Sequence, residues 1–338
     1  MKILSVEQIR LADAFTIEHE PILSIDLMER ATIKLFEWMR KRLQPQSEVL
    51  IFAGTGNNGG DGLALARLLI ESGFRVTTSL IRYSEKLSTD CEINYNRLRE
   101  MAGSQLADVY QEADFPVVTA GTIIVDALFG SGLNRSVSGL AAAAIDLINS
   151  GENVVISIDI PSGLYADKAV DPKRDTVVEA DYTVSFQFPK LSFLWPENDR
   201  FVGRWEVLDI GLDARYINGV QTPFSLLEKS TVNRFLHKRA KFSHKGNYGH
   251  VLLIAGSAGK VGAAILAARS CLISGAGLLH VHLPEKAQIP MQTAFPEAMI
   301  SRDPAEGRFS QLPDLKPFSV IAAGPGMGTH EETAKALK

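Results

Sequence analysis

The sequence contains little cysteine and no long apolar segment. Its 338 residues include two cysteines, Cys91 and Cys271, which are too few and too far apart for a clustered metal site. We expect two free structural thiols in a reducing compartment. The longest apolar runs have strand length, and the charged amino-terminal segment lacks an apolar signal core. We therefore expect a cytoplasmic protein with no signal peptide and no membrane span.

A strong charge of either sign is also missing. The formal net charge of −4 gives no reason to expect nucleic acid or an acidic membrane as a partner. What the chain does have is 46% hydrophobic and 22% charged residues, a balance typical of globular proteins. Its length suggests two domains, each with its own core.

Short apolar runs alternate with helix-length segments. Two helices, at about 6–19 and 25–43, come first, with Ser5 and Ser24 as expected caps. The later runs are apolar without alternation, as in parallel strands that are buried on both faces. The predicted fold class is α/β, with a Rossmann-like three-layer α/β/α domain followed by a second α/β domain. The expected strands are 49–54, 75–81, 122–130, 153–160, 182–188 and 204–211, then 250–256, 278–284 and 319–326.

The domain boundaries follow from the pattern. We expect one domain over 1–215, a linker over 216–230, and the start of a second domain over 231–338. The linker assignment rests on a weak pattern that Asn218, Gly219 and Pro223 interrupt.

Residues 54–62 read GTGNNGGDG, which fits the dinucleotide fingerprint G-x-G-x-x-G. A second strand–glycine–helix segment, with its loop at 256–262, aligns without gaps but has no counterpart of Asn57, Asn58 or Asp61. The turn therefore does not need those three side chains. Two simpler interpretations stay open: Asp61 caps a helix that starts at Gly62, or the asparagines form a turn with positive φ.

Polar residues also follow other strands. Asp126 lies near the end of one predicted strand, and Asp159 and Ser162 follow the next. If the strands are neighbours, these groups meet Asn58 in one crevice at the carboxyl edge of the sheet. Their oxygens suit a hard cation, and the glycine loop at 130–136 and a helix start at Gly62 offer N–H groups for phosphate. Structural roles for Asp126 and Asp159 remain alternatives.

A standard dehydrogenase meets one obstacle. An acidic residue should follow the next strand and hold the ribose, but Arg82 occupies that place and Glu85 lies late. A 2′-phosphate on Arg82 would be the remaining route. An NAD(P)-dependent dehydrogenase and a non-catalytic nucleotide-binding module are kept as alternative functions.

Five segments of the first domain resemble NAD(P)H-hydrate epimerase in the expected order, and two later segments resemble the ADP/ATP-dependent NAD(P)H-hydrate dehydratase, whose domain is ribokinase-like. The first set is SVEQIRLADAFTIEHEPILSIDLMERA (5–31), AGTGNNGGDGLALARLL (53–69), VDALFGSGL (125–133), SIDIPSGL (157–164) and FQFPKLSFLWP (186–196). The second set is HKGNYGHVLLIAGSAGKVGAAILAARSCLISGAGL (244–278) and AAGPGMG (322–328).

The resemblance implies a repair enzyme for damaged nicotinamide cofactors. An isomerase domain interconverts the R and S forms of hydrated NADH and NADPH, and a lyase domain that uses ADP or ATP restores the S form. The resemblance further implies K⁺ held by Asn58, Asp126 and Ser162. We also expect a homo-oligomer. It assigns substrate binding to Asn57, Asn58, Gly59, Gly60, Asp61, Gly130, Ser131, Gly132, Leu133, Asn134, Arg135, Ser136 and Asp159, and to Ala263 and Gly326 in the second domain.

Asp159 is the expected catalytic acid–base residue, because epimerisation at a hydroxyl-bearing carbon needs proton transfer. Lys190 either reaches this site or is exposed to solvent; the sequence leaves both open. The chain departs from the dehydratase pattern in stopping at Lys338, before that family's later nucleotide-contacting segments. We therefore expect no dehydratase turnover from these residues.

Overall fold

The computed structural model describes residues 1–44, 46–101, 104–171, 174–236 and 238–338. The chain divides into two compact units, Met1–Val232 and Asn233–Lys338. Within the described residues, no helix combines the length and apolarity needed to cross a membrane.

In its described residues the first unit contains seven strands and most of the helices. Its strands are β1 (Glu48–Ala53), β2 (Arg75–Ile81), β3 (Gln105–Val109), β4 (Ile123–Ala127), β5 (Val155–Ile158), β6 (Tyr182–Phe186) and β7 (Arg204–Leu208). Its helices are α1 (Val6–His19), α2 (Ser24–Arg40), α3 (Asn57–Glu71), α4 (Thr89–Glu100), α5 (Leu140–Asn149), α6 (Asp199–Val202) and α7 (Ala214–Gly219), and α8 (Lys229–Phe235) contains the boundary.

All seven strands are parallel, in the order β3-β2-β1-β4-β5-β6-β7. The side chains of the central strand β1 point alternately into two cores. Ile51 packs with α2 and α3 on one face of the sheet, and Phe52 packs with α5 on the other. Burial on both faces explains the unbroken apolar runs. The strand order reverses direction at the β1–β4 pair, which is where open α/β sheets bind ligands. The predicted fold class is confirmed.

The two amino-terminal helices form where the sequence predicts them. Ser5 caps α1 through a reciprocal capping box with Gln8, as expected. The expectation that Ser24 caps α2 is wrong, because Leu23 occupies the cap position and Ser24 is the first helical residue. The Ser24 hydroxyl instead donates a 2.6 Å hydrogen bond to Asp90.

Helix α3 begins at Asn57, five residues before the predicted start at Gly62. Gly56 is its N-cap residue, so neither a cap at Asp61 nor a positive-φ turn at Asn57 to Gly59 is correct. The early start is possible because Gly59 lacks a side chain: a Cβ there would lie 1.8 Å from the Gly54 carbonyl oxygen. The helix thus packs directly against the end of β1.

The second unit contains a smaller parallel sheet in the order β10-β9-β8-β11. Its core lies between that sheet and two helices, with Ala264, Leu279, Val281 and Met291 among the buried residues. Its elements are β8 (His250–Ile254), α9 (Val261–Ile273), β9 (Leu278–Pro284), α10 (Gln288–Ala294), β10 (Met299–Asp303), β11 (Val320–Ala323) and α11 (Glu331–Leu337).

Two strands and one boundary differ from the sequence interpretation. β3 and β10 are unpredicted strands at sheet edges, where partial exposure leaves a mixed polar pattern. Residues 216–230, interpreted as a linker, lie in the first unit up to Val232. There Phe224 and Leu226 form backbone hydrogen bonds to Ile3 and Met1.

The glycine contact between α3 and β1 yields a stability test. We expect Gly59→Ala to lower the free energy of unfolding of the first unit by about 1–3 kcal/mol, because the added methyl group meets backbone that cannot move aside. The matched control is Gly219→Ala in the same unit, an exposed position where a Cβ meets no atom of the described residues within 4 Å; it should lower the free energy of unfolding by no more than about 0.5 kcal/mol.

Urea titration followed by tryptophan fluorescence measures both changes, since all three tryptophans (Trp38, Trp195 and Trp205) belong to the first unit. Equal stability of the two glycine variants would contradict the packing account.

Candidate functional site

A cleft of about 720 Å³ opens in the first unit at the carboxyl ends of β1, β4 and β5. Its volume is that of a typical small-molecule site. The residues that follow these strands line it together with residues of α1 and α2. Of the predicted site residues, the cleft contains Asn57, Asn58, Asp61, Gly130, Ser131, Gly132, Leu133, Asn134, Arg135 and Asp159.

Asp126 is fully buried and ties two strands to two loops. Its Oδ2 accepts from Ser157 Oγ at 2.7 Å and from the Ser162 amide at 2.8 Å. Its Oδ1 accepts from Ser162 Oγ at 2.5 Å and from the Leu128 amide at 3.3 Å. Burial raises the pKa of Asp126, and these hydrogen bonds oppose the rise. Asp126 and Ser162 therefore form one polar network.

Asn58 connects that network to the cleft. Its Nδ2 donates to the Phe129 carbonyl at 3.0 Å, and the Phe129 amide donates to Ser162 Oγ at 2.8 Å. The side chain is 6% exposed, yet its Oδ1 accepts from no donor in the described part of the chain. An unpartnered buried acceptor costs free energy unless a ligand or cation completes it.

Asp159 forms a buried ion pair with Lys190. The Lys190 ammonium is 2.7 Å from Asp159 Oδ1 and also donates to Ser185 Oγ and the Phe188 carbonyl. These three acceptors satisfy a lysine that is only 1% exposed. Asp159 has φ of 65°, a conformation rare for residues with a side chain. Of the two interpretations left open for Lys190, the structure selects the buried one.

Two more carboxyl groups approach Asp159. Burial raises the pKa of Asp61 well above its ordinary value, and the charges of Asp159, Asp13 and Asp90 add to the rise. Burial and the charge of Asp159 raise the pKa of Asp13 from 3.8 to about 6, and Lys190 opposes this. Crowded carboxyl groups of this kind share protons instead of ionising together.

Sequence reasoning missed Asp13 and Arg10, which α1 contributes to the cleft. Helical spacing could have indicated Asp13. It lies four residues from both Ile9 and Ile17, so a carboxylate interrupts an apolar helix face. The Arg10 guanidinium lies over the glycine loop, since a Cβ on Gly132 would be 2.7 Å from its Nη2.

Some predicted residues lie elsewhere. Gly59 and Gly60 pack inside the unit, Gly60 next to Met28, and neither lines the cleft. Ser136 donates to Asp175 at 2.5 Å, outside the cleft lining. In the second unit a Cβ on Gly326 would lie 3.1 Å from the Ala263 Cβ, so these two predicted residues are neighbours.

Two family sequence models match the chain. The model described as "YjeF-related protein N-terminus" matches residues 24–192, and the model described as "NAD(P)H-hydrate dehydratase" matches residues 251–338.

Curated relatives cover both units. A bifunctional NAD(P)H-hydrate repair enzyme of Moorella thermoacetica is 33% identical over 335 residues, which covers 93% of this chain and 62% of the relative. An NAD(P)H-hydrate epimerase of Lentilactobacillus buchneri is 39% identical over 210 residues, 62% of this chain and 94% of the relative. The chain spans about three fifths of the length of the bifunctional relatives it matches.

The crystal structure of yeast ynu0 shares the fold. Its TM-score is 0.52 at 19% identity, covering 68% of this chain and 98% of the yeast chain.

The raised pKa of Asp13 predicts a pH-dependent gain in stability on its removal. Between about pH 4 and 6 the folded state holds a proton that the unfolded state releases, so this group stabilises the fold less as the pH rises. We expect Asp13→Asn to raise the free energy of unfolding by about 1 kcal/mol near pH 7.5, and the gain to vanish near pH 4.

The control for this comparison is Glu18→Gln, an exposed carboxyl on the same helix. Urea titrations of both variants and the unchanged chain at the two pH values measure the effect. A loss of stability in Asp13→Asn at the higher pH would contradict the assigned cause.

Proposed function

The chain belongs to the family of NAD(P)H-hydrate repair enzymes, and on that premise we propose that its first unit epimerises the R and S forms of hydrated NADH and NADPH. The observation that carries the proposal is the composition of the cleft. A helix start and a glycine loop face the same space as the Asp159–Lys190 pair and two further carboxyl groups. Phosphate-binding and proton-transferring groups thus meet in one site.

The phosphates of the nucleotide fit the mouth of the cleft. The first turn of α3 at Asn57 presents free backbone N–H groups and the positive end of a helix dipole. Arg10 and Arg135 add positive charge beside loop 130–135. With the phosphates bound there, we propose that the reacting ring lies beside Asp159.

Asp159 is the proposed acid–base residue. Its Oδ1 is held by Lys190, by Ser185 Oγ at 3.3 Å and by the Phe186 amide at 3.3 Å. Its Oδ2 receives no hydrogen bond from the residues that the structure describes, and the side chain lines the cleft. One oxygen is therefore fixed while the other is available to exchange a proton with the hydroxyl of the substrate.

The residues present fit the predicted potassium ion. Asn58 Oδ1 is a buried acceptor without a described partner, and Asp126 and Ser162 belong to the same oxygen-rich network. In the described residues no group of three His, Cys, Asp or Glu side chains could hold a metal. The oxygens of Asn58, Asp126 and Ser162 are neutral and singly charged donors of the kind that suits a hard cation. When bound, the ion would supply positive charge that neutralises Asp126 and steadies the phosphate loop.

The alternative dehydrogenase finds less support. Arg82, the residue suggested for a 2′-phosphate, forms a 2.5 Å ion pair with Asp108. Tyr95 also donates to Asp108 at 2.7 Å, so the arginine is held by the edge of the sheet. A non-catalytic binding module would not need three crowded carboxyl groups beside the ligand, because such groups repel phosphate and cost stability.

For the second unit we propose a part in an ADP- or ATP-dependent dehydratase site, with Ala263 and Gly326 among its substrate contacts. The basis is the family match over 251–338 and the contact between these two residues. A homo-oligomer and a cytoplasmic location stay predictions of the sequence.

The test of the epimerase proposal starts from a single epimer of hydrated NADPH. The chain should accelerate the change in the R/S ratio, followed by chromatography, and potassium chloride should support a higher rate than choline chloride. Asp159→Asn should lower kcat by about 10²-fold or more while the nucleotide still binds. No acceleration over buffer would overturn the proposal, and near-normal turnover by Asp159→Asn would overturn the role of that residue.

A further inference from the structure

Helix α1 contributes the carboxyl group of Asp13 to the cleft, and the contacts of this group give it no structural role. Asp13 lines the cleft and accepts no hydrogen bond from any residue in the described ranges. The side chain is nevertheless largely shielded from solvent, and the charges of Asp159 and Lys190 both shift its pKa. A shielded carboxyl group of this kind lowers the free energy of unfolding. Such groups cluster at functional sites.

We propose that Asp13 is a second acid–base residue of the cleft, acting with Asp159 across the hydroxyl-bearing carbon of the substrate. This inference rests on the proposed epimerase function and deepens it. Asp13 comes from α1 and Asp159 follows β5, so two separate elements bring these carboxyl groups to the same cleft. Inversion at one carbon of a flat ring requires a proton-transferring group on each face, and two carboxyl groups from separate elements can meet that requirement.

The charge balance allows one carboxyl group to be an acid while the other is a base. Among the described residues, Lys190 is the only lysine in contact with these carboxyl groups, and its ammonium forms an ion pair with Asp159. Asp13 and Asp61 have raised pKa values, because burial and the neighbouring carboxylates both disfavour their ionised forms. Asp13 can therefore supply a proton while Asp159, which is paired with Lys190, accepts one. The titratable groups around Asp13 are Asp159, Lys190, Asp61, Asp90, Arg10 and Arg135.

A second observation indicates that this space binds a ligand. Asn58, which also lines the cleft, has a buried Oδ1 without a partner in the described residues, and it belongs to a different element from Asp13. The carboxyl groups are thus part of a site that is incomplete in its polar contacts.

The proposed step balances without any further reactant. Hydration of a ring enamine places the hydroxyl on the carbon next to the ring nitrogen. Asp13 protonates this hydroxyl, the C–O bond breaks with its electron pair on oxygen, water leaves, and the nitrogen lone pair forms a C=N bond. A water molecule then adds to the opposite face, a C–O bond forms, the C=N electrons return to nitrogen, and Asp159 takes the proton. The reverse conversion exchanges the two roles. Before the next turnover in the same direction Asp159 releases its proton to solvent water and Asp13 takes one up, and nothing is oxidised or reduced.

The test compares Asp13→Asn, Asp13→Glu and the control Glu18→Gln with the unchanged chain in the single-epimer assay. We expect Asp13→Asn to lower kcat by about 10²-fold or more with KM changed less than threefold, since the amide keeps the shape but transfers no proton. Asp13→Glu, which restores a carboxyl group, should recover at least tenfold of that loss. Glu18→Gln should match the unchanged chain.

The pH dependence separates catalysis from structure. For the unchanged chain, kcat should fall as the pH rises through the pKa of the protonated carboxyl group, and Asp13→Asn should lack this decrease. Tryptophan fluorescence and melting curves check that each variant is folded.

Turnover by folded Asp13→Asn at half the normal kcat or more would overturn the inference alone, provided that the unchanged chain is active. An inactive unchanged chain would overturn the proposed function and the inference with it.

Discussion

The hydrogen bonds to the buried Asp126 carboxylate are the constraint on which the site depends. They join β4 to β5 through Ser157 and fix the two loops that follow these strands through Leu128 and Ser162. Phe129 and Asn58 extend the network to the start of α3. Three strand ends are thereby held in one geometry, and every other feature of the cleft is placed relative to them.

A second constraint is the charge that this geometry concentrates. Asp159, Asp61 and Asp13 face a common space with Lys190 as the buried counter-charge. Such an arrangement opposes folding, because desolvated carboxylates repel one another. It becomes useful only when a substrate needs a proton delivered at one place and removed at another, so the cost in stability and the proposed chemistry have the same origin.

The sequence predicts most of the fold because burial on both faces of a parallel sheet leaves unbroken apolar runs, as in β1. It does not predict β3, since an edge strand carries a mixed pattern. The sequence predicts the start of α3 too late, because a hydrophobic pattern does not show how closely Gly59 packs against Gly54. The positions of Asn58, Asp126, Asp159 and Ser162 after strands predict that these residues lie together at the carboxyl edge of the sheet. The burial of Lys190 and Asp13 could not be predicted, because tertiary packing determines whether a charged side chain on a loop or helix is buried.

The most direct measurement of the central claim is a crystal structure of the chain soaked with hydrated NADPH. The account predicts the phosphates at the start of α3 and along loop 130–135. It also predicts the ring hydroxyl within hydrogen-bond distance of a carboxyl oxygen of Asp13 or Asp159. A nucleotide bound outside this cleft, or bound in it with the ring directed away from both carboxyl groups, would contradict the account.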